Sequence, residues 1–243
     1  MRPEDRPAGP RARAWNPSGI DPVRTAVACG LVPIATVIAC TAWSMGAGLI
    51  GACLPLVDGC TSISRACRQV PVIYLFGTIM LPCAALLALF WWQERTRLAA
   101  LAPGKPALRR AASALAFVGA AFLVPYVVFL GTDGPMYEFL RRIGIYFFFA
   151  GTGFAQLIVT VGIDGGGGER SARAAHLARL ALVLAMLALG PLNLVLKATL
   201  EDPDRAENVI EWWFGLAMFA WFALTGIVRA RGGVRSDVAR GGR

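Results

Sequence analysis

Residues 71–92 read PVIYLFGTIMLPCAALLALFWW, twenty-two positions without one charged side chain. A helix rises about 1.5 Å per residue and the hydrocarbon of a bilayer is about 30 Å thick, so about 20 apolar residues make one crossing. An unbroken apolar run of this length exceeds what a strand or an ordinary core helix uses. The stretch therefore specifies a membrane helix, and it has company. Comparable runs occupy residues 25–47, 111–131, 143–163, 177–198 and 209–228, which makes six spans in all.

The composition agrees. Of 243 residues, 56% are hydrophobic and 16% charged, with a mean hydropathy of +0.58. Water-soluble domains sit near 45–50% apolar and about 25% charged. The net charge of +9 would ordinarily raise a nucleic-acid partner. Here the basic residues avoid the apolar runs, so they read as loop charge that orients the spans, and no nucleic acid is expected. Arginine outnumbers lysine 22 to 2, the usage of a GC-rich, bacterial genome. The first run is not expected to be a cleaved signal peptide, because it follows a polar Pro- and Arg-rich segment and exceeds an h-region of about 7–15 residues.

Counting lysine and arginine in alternate loops sets the orientation. The N-terminal segment, the 93–110 loop, the 164–179 segment and the tail together carry 18, and the opposite face carries six. That face also holds eight of the fifteen acidic residues, among them Asp58, Glu138, Asp204, Glu207 and Glu211. Both termini are thus expected on the cytoplasmic side of the cell membrane. The predicted fold is all-α, a polytopic six-helix transmembrane bundle over residues 23–229. A disordered segment, 1–22, precedes it, with Trp15 at the headgroup level, and a disordered basic tail, 230–243, follows it. Gly165 to Gly168 read as a flexible loop tip, since no strand precedes the run and no Lys-Ser/Thr follows it.

The functional question is which polar groups are tolerated at depth. Pro33, Pro82, Pro125 and Pro191 each fall inside a predicted span and suit kinks. Asn193, two residues after Pro191, can bond a neighbouring helix or a ligand. Glu211, in Glu211-Trp212-Trp213, is read as the one charged residue near a span interior, and a carboxylate in hydrocarbon costs at least about 2.5 kcal/mol. Its predicted place in the first turn of span six suits the helix dipole, and Trp212 and Trp213 read as an interfacial belt. Lys197 is expected to snorkel outward or to pair with Glu211.

His176 is the sole histidine, which removes multi-histidine metal sites and the commonest general base. No Gly-x-Ser-x-Gly, His-Glu-x-x-His or Walker pattern occurs, and no cofactor is expected. Cys29, Cys40 and Cys83 fall within spans as small apolar residues. Cys53, Cys60 and Cys67 lie in or beside the first outer loop, where oxidation is favoured. One disulfide is predicted there, Cys60–Cys67 or Cys53–Cys67, with the third thiol free; the rival reading leaves all three reduced. Three thiolates without Cys-x-x-Cys spacing do not suggest a metal.

That loop runs Leu54-Pro-Leu-Val-Asp-Gly-Cys-Thr-Ser-Ile-Ser-Arg-Ala-Cys-Arg-Gln-Val-Pro71 and opens into Val-Ile-Tyr-Leu-Phe-Gly-Thr78. It is rich in small and hydroxyl residues, and Ser62 and Ser64 can hold it compact through local backbone bonds. Pro71 suits the first turn of the next helix. Too apolar for a free solvated loop, it is expected to fold back over the bundle or the headgroups. The Ile63-Ser64 pair, Pro71 seven residues after the serine, and Leu75-Phe76-Gly77 at the start of span two resemble the FRAG/DRAM/SFK family of six-span membrane proteins. Glu211-Trp212 at the start of span six matches a Glu-Trp pair frequent in that family, and Gly151, Gly153 and Gln156 are a looser echo. The likeness covers about residues 22–230. It departs at Arg142, where family members often have histidine, and at Cys67, where many have glycine.

The resemblance implies roles centred on membrane lipid, from phosphoinositide and phospholipid organisation to remodelling of lipid anchors. The expectation is a non-catalytic protein that binds or organises lipid at the outer leaflet. Its site would draw on Ser64, Pro71, Phe76, Arg142, Asn193, Lys197, Glu211 and Trp212. One alternative is a lipid-remodelling enzyme, or its accessory subunit, with Glu211 as acid or base; another is a small-solute transporter. The paired broken helices and internal repeats typical of transporters are not evident. Small-residue pairs such as Ala26/Gly30 and Gly48/Ala52 permit close helix contact, within the bundle, with a second copy, or with another membrane protein.

Overall fold

The structure is a computed structural model that describes residues 19–163 and 170–241. The readings of residues 1–18, of Trp15 and of Gly165–Gly168 fall outside the described residues. Among the described residues eight α-helices follow one another: α1 (Pro22–Gly46), α2 (Pro55–Asp58), α3 (Ile63–Cys67), α4 (Val72–Leu101), α5 (Pro106–Val128), α6 (Pro135–Leu157), α7 (Arg170–Thr199) and α8 (Asp204–Gly241). A π-helical stretch, Ile158–Ile163, extends α6. Six of these helices are long and apolar enough to cross a membrane, at the six places the sequence indicates. The protein is an integral membrane helical bundle.

Local chemistry sets the starts. Asp21 caps α1 by accepting from the Val23 N–H at 2.9 Å, and Pro22, Pro106 and Pro135 stand where a helix has no use for an N–H. Pro33, Pro82, Pro125 and Pro191 all lie inside helices as expected. The helices outrun the apolar stretches. α4 continues to Leu101, and α8 begins at Asp204 and runs to Gly241.

Glycine lets the backbones meet. A Cβ on Gly151 would stand 2.6 Å from the Leu115 carbonyl oxygen, and one on Gly119 would stand 2.7 Å from Thr152 Oγ1, so α5 and α6 pack along a seam that admits no side chain. Ala26 and Gly30 serve the same purpose inside the bundle, where α1 lies against Ala223 of α8. Gly48 and Ala52 belong to the loop after α1, not to a helix. α7 is the outlier. In its most apolar window only 11% of residues are buried, against 50% for α1, because it packs mainly along α8.

The bundle has two distinct ends. At the terminal end, Gln93 Nε2 donates to the Ile20 carbonyl at 3.2 Å and Lys105 Nζ to the Gly162 carbonyl at 2.7 Å. Just inside it, Phe90, Trp91, Trp221 and Phe222 form a buried aromatic cluster, with Trp91 and Trp221 stacked 6.2 Å apart. At the opposite, capped end, the segment between α1 and α4 folds over the helices and packs against the start of α8.

Candidate functional site

The cap is built from hydroxyls and small residues. Ser62 starts α3 by accepting from the Arg65 N–H at 3.0 Å, and its hydroxyl lies 3.2 Å from that of Ser64. This is the local bonding expected of the two serines. Asp58 Oδ2 accepts from the Leu54 N–H at 2.8 Å and closes the turn around α2.

One disulfide, Cys53–Cys60, staples the cap, with Cα atoms 6.6 Å apart. Neither predicted pairing forms. Cys67 ends α3 on its buried side and hydrogen-bonds to Cys40 of α1, and that bond together with burial pushes its thiol pKa up. It faces the core, away from the pair it was expected to join.

A stripe of α8 side chains grips the cap. Asn208 Nδ2 donates to the Gly59 carbonyl at 2.7 Å, Trp212 Nε1 to the Thr61 carbonyl at 3.0 Å and Trp213 Nε1 to the Leu56 carbonyl at 3.1 Å. Glu211 Oε1 accepts from the Ser64 N–H at 3.2 Å, and the Ile63 N–H also donates to this carboxylate. From α1, Ser44 Oγ donates to the Ala66 carbonyl at 2.7 Å. Two expectations change here. Trp212 is buried and holds the cap, so Trp213 alone of the pair is exposed. Because α8 starts at Asp204, Glu211 stands two turns inside its helix, beyond the first turn where the dipole would hold it.

Beneath the cap lies a cavity of about 30 Å³. Its wall is apolar and aromatic, with Phe76, Tyr126, Phe148 and Phe149 prominent, and Glu211 and Gly215 complete it on the α8 side. Phe76 meets Tyr126 edge-on with ring centroids 6.4 Å apart. The volume suits one or two water-sized groups, since about 10–15 Å³ on this measure holds one. Among the described residues no lysine or arginine forms an ion pair with Glu211.

The remaining candidates divide. Ser64, Phe76, Glu211 and Trp212 come together at the cap and cavity. Pro71 stands just before α4, exposed, with its carbonyl accepting from the Tyr74 N–H at 3.1 Å. Lys197 pairs with Glu207 at 3.1 Å, not with Glu211, since one turn of α8 separates the two acids. Arg142 pairs with Glu138 on the exposed start of α6. Asn193 sits in α7, away from the cavity wall, and its Oδ1 is buried without a partner.

A second polar centre was not anticipated. Glu94, in the extension of α4, is fully buried at the terminal end. Arg97 reaches it at 2.5–3.0 Å, Arg229 of α8 also pairs with it, and the Arg229 guanidinium lies 5.2 Å from the centre of the Phe90 ring. Glu94 is thus fully buried, whereas Glu211 is half-buried. The sequence signal was the i, i+3 spacing of Glu94 and Arg97 directly after the apolar run, which marks a helix continuing past it. Asn208 and Thr61 were also missed, although Asp204, Asn208, Glu211, Trp212 and Gly215 recur at helical spacing and outline the gripping face. Compared with protein-family models, with curated proteins and with solved structures, the chain matches none.

Proposed function

We propose that this protein is a non-catalytic membrane protein of the FRAG/DRAM/SFK type that binds and organises lipid at its capped end. The 18-to-6 distribution of basic charge supports reading that end as the outer-leaflet side of the cell membrane, with both termini cytoplasmic. The carrying observation is that the cap is firmly held yet turns apolar side chains outward. Leu54, Val57 and Val70 are 69%, 74% and 65% exposed, and Tyr74 and Met136 are exposed at the same end. Exposed Arg65 and Arg68 stand among them. Apolar groups interleaved with guanidinium groups match the boundary between acyl chains and phosphates. The residues that carry the family resemblance, Ser64 and Glu211, are also in contact, which supports reading them as one unit.

Native mass spectrometry on purified full-length protein tests this. Leu54→Ser with Val57→Ser should lower retained phospholipid several-fold and leave the unfolding temperature near that of the parent. Unchanged retention would overturn the reading. The second reading, lipid remodelling, is favoured by the half-buried Glu211 carboxylate held against the cap. It requires turnover of a labelled lipid by the pure protein, lost in Glu211→Ala.

A further inference from the structure

We propose that Cys40 and Cys67 are a redox-active pair, the site of a second disulfide that fastens the cap to α1 after the cap has lifted in the presence of an external disulfide. Three observations carry it. The first is the contact itself. Cys40 belongs to α1 and Cys67 is the last residue of α3, and their thiols are hydrogen-bonded to each other. One turn further along α1, Ser44 Oγ donates to the carbonyl of Ala66, the neighbour of Cys67, at 2.7 Å. Two short side chains on successive turns bridge the junction, so the backbones of α1 and α3 run close together there, as a disulfide requires. Cys29 shows the ordinary alternative. Its thiol takes the Leu86 carbonyl at 3.5 Å and serves as a small core residue.

The second observation is the neighbouring staple. Cys53–Cys60 is a disulfide of the same cap, so cysteines at this end of the bundle meet oxidising conditions. The third is exclusion. Cys40 and Cys67 are both 0% exposed, and both are free thiols. No external disulfide reaches either of them while the cap is down, and oxidation has to wait for the cap to move.

The topology divides the work between the two. Cys67 rides on the cap and comes out with it, whereas Cys40 stays in the membrane helix. The Cys67 thiolate attacks one sulfur of a low-molecular-weight disulfide, which releases one thiol and leaves a mixed disulfide on Cys67. As the cap settles, the Cys40 thiolate attacks the Cys67 sulfur and displaces the second thiol. Two protein thiols and one external disulfide thus become one protein disulfide and two external thiols. The cap, already gripped by α8 through Asn208 and Trp212, is then tied covalently to α1 as well.

The test treats the purified full-length chain in detergent with oxidised glutathione, at low temperature and again just below the unfolding transition. Peptide mapping without reductant follows the products. A Cys40–Cys67 link should form at least about tenfold faster in the warm sample, and a link already present in the isolated protein would support the same assignment. Hydrogen exchange over residues 60–67 should then slow by about tenfold or more, and dithiothreitol should restore it. Cys40→Ala should trap glutathione on Cys67 under the warm conditions, while Cys67→Ala should leave Cys40 unmodified; circular dichroism and the unfolding temperature confirm that each variant is folded. Glutathione that stays on Cys67 in the parent protein without a link to Cys40 overturns the pairing. So does a link from Cys67 to Cys53 or Cys60, or a Cys67 that takes no glutathione in Cys40→Ala.

Discussion

Each end of the bundle holds a glutamate, one fully buried and one half-buried, and the two are held in opposite ways. Glu94 at the terminal end lies between Arg97 and Arg229, with the Phe90 ring against the second guanidinium. Its charge is met by cations of the chain itself, and the result ties α4 to α8. Glu211 at the capped end accepts from the Ser64 N–H, with the positive charge of Arg65 nearby but no ion pair formed among the described residues. Backbone dipoles stabilise a carboxylate without neutralising it. One acid completes a structural joint between helices, while the other has no counter-charge within ion-pair reach among the described residues. A buried acid alone is a poor guide to function, and its counter-charge decides the matter.

Removing Glu94 should give the largest effect. Glu94→Ala strands two guanidinium groups in the bundle, and breaking a buried pair from one side costs about 3–5 kcal/mol. The expected outcome is a steep loss of folded protein in detergent, read by size-exclusion yield and thermal unfolding. A Glu94→Ala protein as stable as the parent would remove the structural half of the comparison. Lipid retention in whatever folds should match the parent, because Glu94 is at the far end from the cap.

The Cys53–Cys60 staple ranks next. It closes a loop with a sequence separation of seven, and chain-entropy arguments give such a loop about 2–3 kcal/mol. Replacing both cysteines by serine should lower the unfolding temperature and loosen the cap, measured as faster hydrogen exchange over residues 50–66. Alkylation without reductant should leave Cys53 and Cys60 unmodified until dithiothreitol is added. Cys67 should resist alkylation in the folded protein even at pH 8–9, since its raised pKa keeps it a thiol where an ordinary cysteine has ionised. Ready labelling of Cys67 would show that the cap opens in solution.

Glu211→Gln should reverse the pattern of Glu94→Ala. Glutamine keeps an oxygen for the Ser64 N–H, so only the charge assistance is lost, about 1 kcal/mol of stability. Retained lipid should fall all the same if Glu211 belongs to the lipid site. A variant that unfolds as badly as Glu94→Ala would mean that Glu211 too is chiefly a joint.

How much of this was legible without coordinates follows from the same physics. The six spans were readable because an apolar run of twenty residues has one stable solution in a bilayer. Glu94 was not, because apolar runs mark where hydrocarbon begins and helices continue past that boundary. Gln93 and Glu94 after Trp92 looked like the start of a loop. The meeting of Ser64 and Glu211 across 147 positions was suggested by family likeness and by no local rule. The disulfide was misassigned because spacing permits all three pairings among Cys53, Cys60 and Cys67. What excluded Cys67 was the face of α3 on which it ends, beside Cys40. Lys197 was matched to the wrong acid for a similar reason, since a charge one helical turn away is indistinguishable in sequence from its neighbour. Long apolar runs fix elements, and side-chain direction at their ends fixes sites.

The smallest effect belongs to Ser64, the residue most prominent in the sequence reading. Its contact with Glu211 runs through the peptide N–H, and its hydroxyl bonds only Ser62, which has the Arg65 N–H as well. Ser64→Ala therefore leaves the carboxylate held, and a change below about 0.5 kcal/mol is expected, typical of a partly exposed substitution. Lipid retention should match the parent protein. Ser64→Pro removes the N–H itself and should behave like Glu211→Gln or worse, with part of the loss coming from ring strain in α3. The contrast between these two substitutions at one position separates backbone from side-chain holding of Glu211. If Ser64→Ala alone abolished lipid retention, the serine hydroxyl would have to touch the ligand, and the carboxylate would cease to be the centre of the site.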